Sequence, residues 1–187
     1  MVNRDRRAFT LVELLVVIGI LATLSVATVL VLNPAEMMKK GRDSTRLSDF
    51  AAMNSALSLF LTDQPTGSLG SSSVVYVSIP DNNSSTCGSL GLPSLPTGWQ
   101  YHCVTSSTLT KTDGTGWLPV NLSLLSTGSP LPKLPIDPIN STSSNLFYTY
   151  TTRVGYEFAG NMESATYQAT AQKDGGVSSA FEMGSNL

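Results

Sequence analysis

Glu13 is the residue whose type and surroundings most need a chemical explanation. It comes after Arg6-Arg7-Ala8-Phe9-Thr10-Leu11-Val12 and stands inside an apolar run that continues to Leu32. From Leu14 to Leu32, 19 residues carry no charge. A carboxylate at the edge of such a run is costly to desolvate and calls for a partner. Two partners are open to it. One is a cation from elsewhere. The other is the start of its own helix, where negative charge is favoured. Two further groups have chemistry of their own. Cys87 and Cys103 are the only cysteines: in an oxidising compartment they would close a short loop as a disulfide, and in a reducing one they would be small buried hydrophobes. His102, the single histidine, stands beside Cys103, and this set has no zinc-ligand spacing. No G-x-S-x-G, phosphate-loop or H-E-x-x-H pattern occurs. The chain therefore reads as a non-enzyme.

The element that must position Glu13 is a helix. At about 1.5 Å rise per residue, Leu14–Leu32 spans about 28 Å, close to the hydrocarbon thickness of a bilayer. A cleavable signal has a shorter apolar core and then small residues at the cut. A plain anchor accounts for the length and the basic flank, but not for a carboxylate inside the apolar zone.

Ala8-Phe9-Thr10-Leu11-Val12-Glu13, behind a short basic leader and ahead of a charge-free span, resembles the processing site of the type IV pilin and type II secretion pseudopilin superfamily. The resemblance implies cleavage between Ala8 and Phe9 by a prepilin peptidase on the cytoplasmic side, and then methylation of the new Phe9 amine. The family usually has Gly before the cut, where this chain has Ala8. It also implies that the apolar helix stays in the membrane and later becomes a filament core. There Glu13 of an incoming subunit would pair with the Phe9 amine of a neighbour, so that a subunit docked out of step leaves a buried charge unmatched.

The remaining charges bound the class of partner. The formal net charge is −2, with seven of the eleven Lys and Arg at or before Arg46, and beyond residue 50 eight acidic residues face four basic ones. The head thus lacks a basic surface for nucleic acid. Arg4, Arg6 and Arg7 argue for a cytoplasmic N-terminus, while Lys39, Lys40 and Arg42 on the other side of the span weigh against it, so the leader decides the orientation. The body is rich in Ser, Thr, Gly, Asn and Pro, yet its Trp, Tyr, Phe and aliphatic residues suffice for a small core.

Asn33-Pro34 ends or bends the first helix. A helical pattern resumes from Ala35 to Thr62, with one apolar face at Leu47, Phe50, Met53, Leu57 and Phe60. The charges Arg42, Asp43, Arg46 and Asp49 read as a solvated face, with subunit–subunit contacts as the alternative. Val74–Ile79 and Trp99–Val104 read as strands. Phe147–Thr152 and Tyr156–Ala159 read as a hairpin, Tyr167–Ala171 as a further strand, and the tail from Asp174 carries little sign of order. Trp117–Leu125 reads equally as strand or helical turn. Four prolines between Pro130 and Pro138 make a rigid connector. Within it, Leu134-Pro135-Ile136-Asp137-Pro138 with the later Tyr148-Thr149-Tyr150 is similar to the Pro-x-Asp-Pro…Tyr-x-Tyr pattern of the major pseudopilin of type II secretion, with Ile139-Asn140 in place of that group's Trp-Gly. The likeness raises a calcium ion at a C-terminal loop, here Asp174-Gly175-Gly176. One carboxylate is thin for an ion that takes six to eight oxygens, so the expected cofactor is none, with calcium as the alternative.

The expected fold class is α+β and pilin-like: one long N-terminal helix, apolar in its first half and amphipathic in its second, packed on a small antiparallel sheet. The expected organisation is a leader over 1–8, an apolar transmembrane and filament-core helix over 9–32, its amphipathic continuation over 33–64, and a β-rich head over 65–187. The expected function is a structural subunit of a type IV pilus-like homo-oligomeric helical filament, partnered by a prepilin peptidase, the membrane and the assembly machinery. Its head would lie outside the cytoplasm, reaching the cell surface or periplasm after assembly. The alternatives are a major pseudopilin forming a short periplasmic filament and a membrane-anchored binding domain that never polymerises.

Overall fold

The computed structural model describes residues 9–153, 155–171 and 180–185. The chain divides into two compact units, Met1–Met38 and Lys39–Leu187.

In the first unit, helix α1 runs over Leu11–Leu32. Thr10 caps it, and Asn33 closes it in the left-handed conformation (φ 43°), its N–H donating to the Val29 carbonyl. Pro34 then opens helix α2, Pro34–Asp63, at the first helical position, where its missing N–H costs nothing. The Asn33 carbonyl accepts from Glu36 N (3.0 Å) and Met37 N (3.2 Å). Pro34 therefore stops one helix and starts another.

The second unit is built on α2 from Lys39 onward. Phe50, Met53, Leu57 and Phe60 recur at spacings of three and four and are all fully buried or nearly so. Each contributes about 1.5–3 kcal/mol by leaving water. They lie against a five-stranded sheet of order β2-β1-β3-β4-β5. The strands are β1 Val74–Val77, β2 Gln100–His102, β3 Tyr148–Thr152, β4 Tyr156–Asn161 and β5 Ala180–Gly184. Registers Tyr76↔Tyr150, Tyr150↔Phe158 and Phe158↔Met183 align aromatic residues and Met183 on the helix-facing side. Phe50 packs between Tyr148 and Phe181, with ring centroids 4.8 and 6.0 Å away. Gly160 makes that approach feasible, because a Cβ there would stand 2.8 Å from the Phe50 ring. Trp117, Leu118, Val120, Leu122 and Leu134 complete this core. The other sheet face carries a smaller cluster of Val77, Ile79, Cys87 and Cys103.

The sheet is mixed. The α+β arrangement of a long helix on a small sheet is as expected; three of the four strand pairs are antiparallel and β1 and β2 run parallel, a detail the expected antiparallel sheet did not include. The long loop after β1 makes the difference: it carries the chain back past the start of β1 before β2 begins, the crossover a parallel pair requires. Two expectations are corrected. Residues 165–171 form a short helix, α3 (Ala165–Ala171), because the Ser164 hydroxyl accepts from Tyr167 N (3.4 Å) and the Ser164 carbonyl from Gln168 N (3.0 Å). The tail contains β5, whose order comes from pairing with β4, a long-range contact with no local signature. Over Trp117–Leu125 only Leu122–Leu124 is regular, as a single 3-10 turn.

Candidate functional site

Thr10 and Glu13 form a capping box at the start of α1. The Thr10 N–H and hydroxyl both donate to Glu13 Oε2 at 2.8 Å, and Glu13 N donates back to Thr10 Oγ1 at 3.3 Å. The carboxylate is thus satisfied on one oxygen. Its other oxygen, Oε1, accepts no hydrogen bond among the described residues. Phe9, 82% exposed, lies one helical turn before Glu13. Ala8, the other residue at the expected cut, lies outside the described residues, as does the rest of the leader.

Beyond Glu13, α1 is a rod without internal cover. Every described side chain from Leu11 to Val29 is exposed, Leu14, Leu15, Ile18 and Leu21 among them. The helix is long and apolar enough to cross a membrane. Its few hydroxyls turn inward on their own backbone: Thr23 donates to Ile20 O (2.9 Å), Ser25 to Leu21 O (2.7 Å) and Thr28 to Ser25 O (2.8 Å). In a medium without water this leaves none of these three donors unmatched.

In the second unit the charges expected on a solvated face are instead a clasp. Arg46 and Asp43 are fully buried. Arg46 forks onto Asp137, Nε to Oδ2 at 2.6 Å and Nη2 to Oδ1 at 2.9 Å. Its Nη1 donates to Asp43 Oδ1 and to Glu163 Oε1, both at 2.7 Å. Arg42 makes a second fork onto Glu163 at 2.8 and 2.6 Å. Asp43 accepts from Ser164 N at 2.7 Å, which joins α2 to the turn before α3. Burial by itself would lower the Arg46 pKa, but its bonds to Asp137, Glu163 and Asp43 outweigh that and raise it. The Arg42 fork, opposed by burial and reinforced by Arg46, holds Glu163 down at about 2. Nearby, the Tyr148 hydroxyl donates to Asp49 at 2.8 Å. Burial pushes Tyr148 up, with Asp49 adding to it, and burial also raises Asp49.

The pattern that marks this clasp was present in the sequence. Asp43 and Arg46 continue the three-and-four spacing of Phe50, Met53, Leu57 and Phe60 by one more turn. Residue type pointed outward while position pointed inward, and position prevailed because Asp137 and Glu163 arrive to neutralise the cation. The proline-rich connector delivers Asp137, fixed on the way by Leu134 N to Thr110 O (2.8 Å) and Trp117 Nε1 to Pro135 O (2.8 Å).

Cys87 and Cys103 lie with their sulfurs at 2.06 Å, buried beneath the sheet's second face. His102, on β2, makes an edge contact with Tyr76 at 5.4 Å. The Asp174 loop lies outside the described residues, and no cluster of three or more His, Cys, Asp or Glu suited to a metal occurs among the described ones.

No curated protein and no solved structure matches the chain. Residues 3–29 match the family model of the prokaryotic N-terminal methylation motif, so the chain carries the prepilin leader signature of the type IV pilins and pseudopilins.

Proposed function

We propose that this chain is a structural subunit of a type IV pilus-like filament, cut between Ala8 and Phe9, methylated on the Phe9 amine and assembled through α1. The motif itself supports a pilin-like or pseudopilin precursor processed by prepilin peptidase. One observation carries the finer reading: the motif leads into an uncovered apolar helix whose one charge, Glu13, has an oxygen that accepts no hydrogen bond among the described residues. In lipid such a helix is anchored. In a bundle of sister helices it exchanges lipid contacts for side-chain packing. Cleavage turns the Phe9 amide into a cationic amine, which supplies the partner Glu13 needs in an apolar surround. Because the carboxylate is already fixed by Thr10, a neighbour's amine meets a preset oxygen. The head lies outside the cytoplasm, which is where a Cys87–Cys103 disulfide persists.

A second reading, the major pseudopilin of a secretion system, is favoured by Asp137-Pro138 and Tyr148-Thr149-Tyr150. Three signature side chains brace the head in this fold, Asp137 on Arg46, Tyr148 on Asp49 and Tyr150 on the Leu69 carbonyl (2.9 Å). Mass spectrometry of the mature N-terminus tests the proposal at its root: a chain beginning with methylated Phe9 is expected, and an uncut chain overturns both readings. Electron microscopy of the native envelope then separates long surface filaments from short periplasmic ones.

A further inference from the structure

The chain contains four Asn-x-Ser/Thr triplets, beginning at Asn82, Asn83, Asn121 and Asn140. This is the acceptor pattern for N-linked glycans. In a chain this rich in Ser and Thr the pattern arises readily by chance, so the triplet alone selects nothing. The fold does.

Asn140 is half-buried with φ 48°, and its side chain is held at both ends, donating to Ser78 O and accepting from Ser78 Oγ, each at 2.9 Å. Asn121 is half-buried and caps the 3-10 turn, its Oδ1 accepting from Ser123 N at 3.1 Å. Asn82 is exposed, but Ser106 takes both ends of its amide, Nδ2 to Oγ at 3.2 Å and Oδ1 from N at 2.9 Å. Asn83 differs. It is exposed, and its carboxamide makes no hydrogen bond among the described residues. Ser85, the hydroxyl residue of its triplet, is exposed as well, and its hydroxyl is likewise unengaged among them. The backbone beneath is firm: Asp81 accepts from Asn83 N (2.9 Å), Ser84 N (3.1 Å) and Ser89 N (3.0 Å). Beside Asn83 opens a shallow hollow of about 320 Å³, lined by Ser85, His102, Thr105 and Thr108, which leaves room for a first sugar.

We infer that Asn83 is an N-glycosylation acceptor, taking an oligosaccharide from a polyisoprenyl diphosphate-linked donor. In the transfer a bond forms between Asn83 Nδ2 and the anomeric carbon. The bond from that carbon to the diphosphate oxygen breaks, and the lipid diphosphate leaves with the electron pair. One amide proton passes to the transferase's base, and nothing is oxidised or reduced. Ser85 stays unmodified and serves as the recognition hydroxyl. The inference rests on the reading that the head faces away from the cytoplasm.

The test is electron-transfer mass spectrometry of the full-length protein purified from its own cells, reading the Asn83 peptide and the N-terminus together. A sugar increment on Asn83 is expected. It should disappear in Asn83→Gln and in Ser85→Ala and persist in Asn121→Gln. Asn83→Gln should retain the Cys87–Cys103 bond, which reports that the head still folds. An unmodified Asn83 in a chain with methylated Phe9 overturns the inference and leaves the functional reading standing. So does an increment that survives Asn83→Gln or maps to a hydroxyl. An uncut chain with both cysteines reduced overturns the two together.

Discussion

Two helical carboxylates, Glu13 on α1 and Asp43 on α2, meet the same physical problem in opposite ways. Glu13 has apolar residues as its neighbours along the helix, and Asp43 lies on the line of the apolar stripe of α2, two turns before Phe50. Asp43 is fully buried, and its charge is answered inside its own unit by Arg46 and the Ser164 N–H. Glu13 is exposed, answered on one oxygen by Thr10 and, among the described residues, left open on the other. The difference teaches where each helix finds its partner. The α2 stripe meets a sheet supplied by the same chain, so its charges close among themselves. Nothing among the described residues of its own unit covers the α1 surface, so in the proposed function its charge and its leucines meet lipid or another copy.

The comparison predicts its largest effect at Glu13. Glu13→Ala should leave membrane insertion intact, because the apolar span is unchanged, and should abolish filaments. Cell fractionation and electron microscopy read the two separately, and normal filaments from this variant would remove the register role proposed for Glu13. At the clasp the effect is on folding. Arg46→Met strands Asp43 and Asp137 as buried carboxylates and should destabilise the head by about 3–5 kcal/mol. Urea unfolding of the detergent-solubilised full chain measures it, and a loss below about 1 kcal/mol, the size of an exposed pair, would mean the clasp relaxes into water.

A third effect, slightly smaller, concerns the loop on the sheet's second face. The double change Cys87→Ala and Cys103→Ala removes a cross-link of sequence separation 16. It should cost about 3 kcal/mol, because the unfolded chain regains the freedom the loop had denied it. The same unfolding assay reads it, and reductant should lower the wild type to the variant's level.

The smallest effect is on acid stability. Glu163 is held at about 2 in the folded head against 4.5 ordinarily, so the unfolded chain binds its proton first as pH falls. Its contribution is full above about pH 4.5 and is lost as pH falls toward 2. Asp49, raised by burial, works in the opposite sense, since it takes up a proton in the folded state first. Glu163→Gln should therefore flatten the acid limb of the stability curve, and Asp49→Asn should steepen it. Identical acid limbs in both variants would show that neither group governs acid unfolding.

Much of α1 and α2 was legible because their signals are local. A charge-free run, an Asn-Pro break and a three-and-four apolar spacing all act within a turn or two. The Phe147–Thr152 hairpin strand was legible for the same reason, through its alternating Tyr and Thr. The clasp was legible only in its α2 half, where Asp43 and Arg46 continue the apolar spacing, because the other two carboxylates on Arg46 lie 91 and 117 residues away. Not legible were β5, whose order depends on β4, and the parallel pairing of β1 with β2, which depends on the path of a long loop. At Asn83 the triplet was written in the chain, while only the fold distinguishes it from Asn140, Asn82 and Asn121, which Ser78, Ser106 and Ser123 engage.

Sequence by itself determined that one end of this protein is a greasy helix with one carboxylate and a processing signature, since composition and short spacing suffice for that. Only the tertiary structure decided that Asp43 and Arg46 turn inward. Burying a charge is tolerable solely where an opposite charge arrives at hydrogen-bond distance, and that is a property of the folded path, invisible in any short stretch of residues.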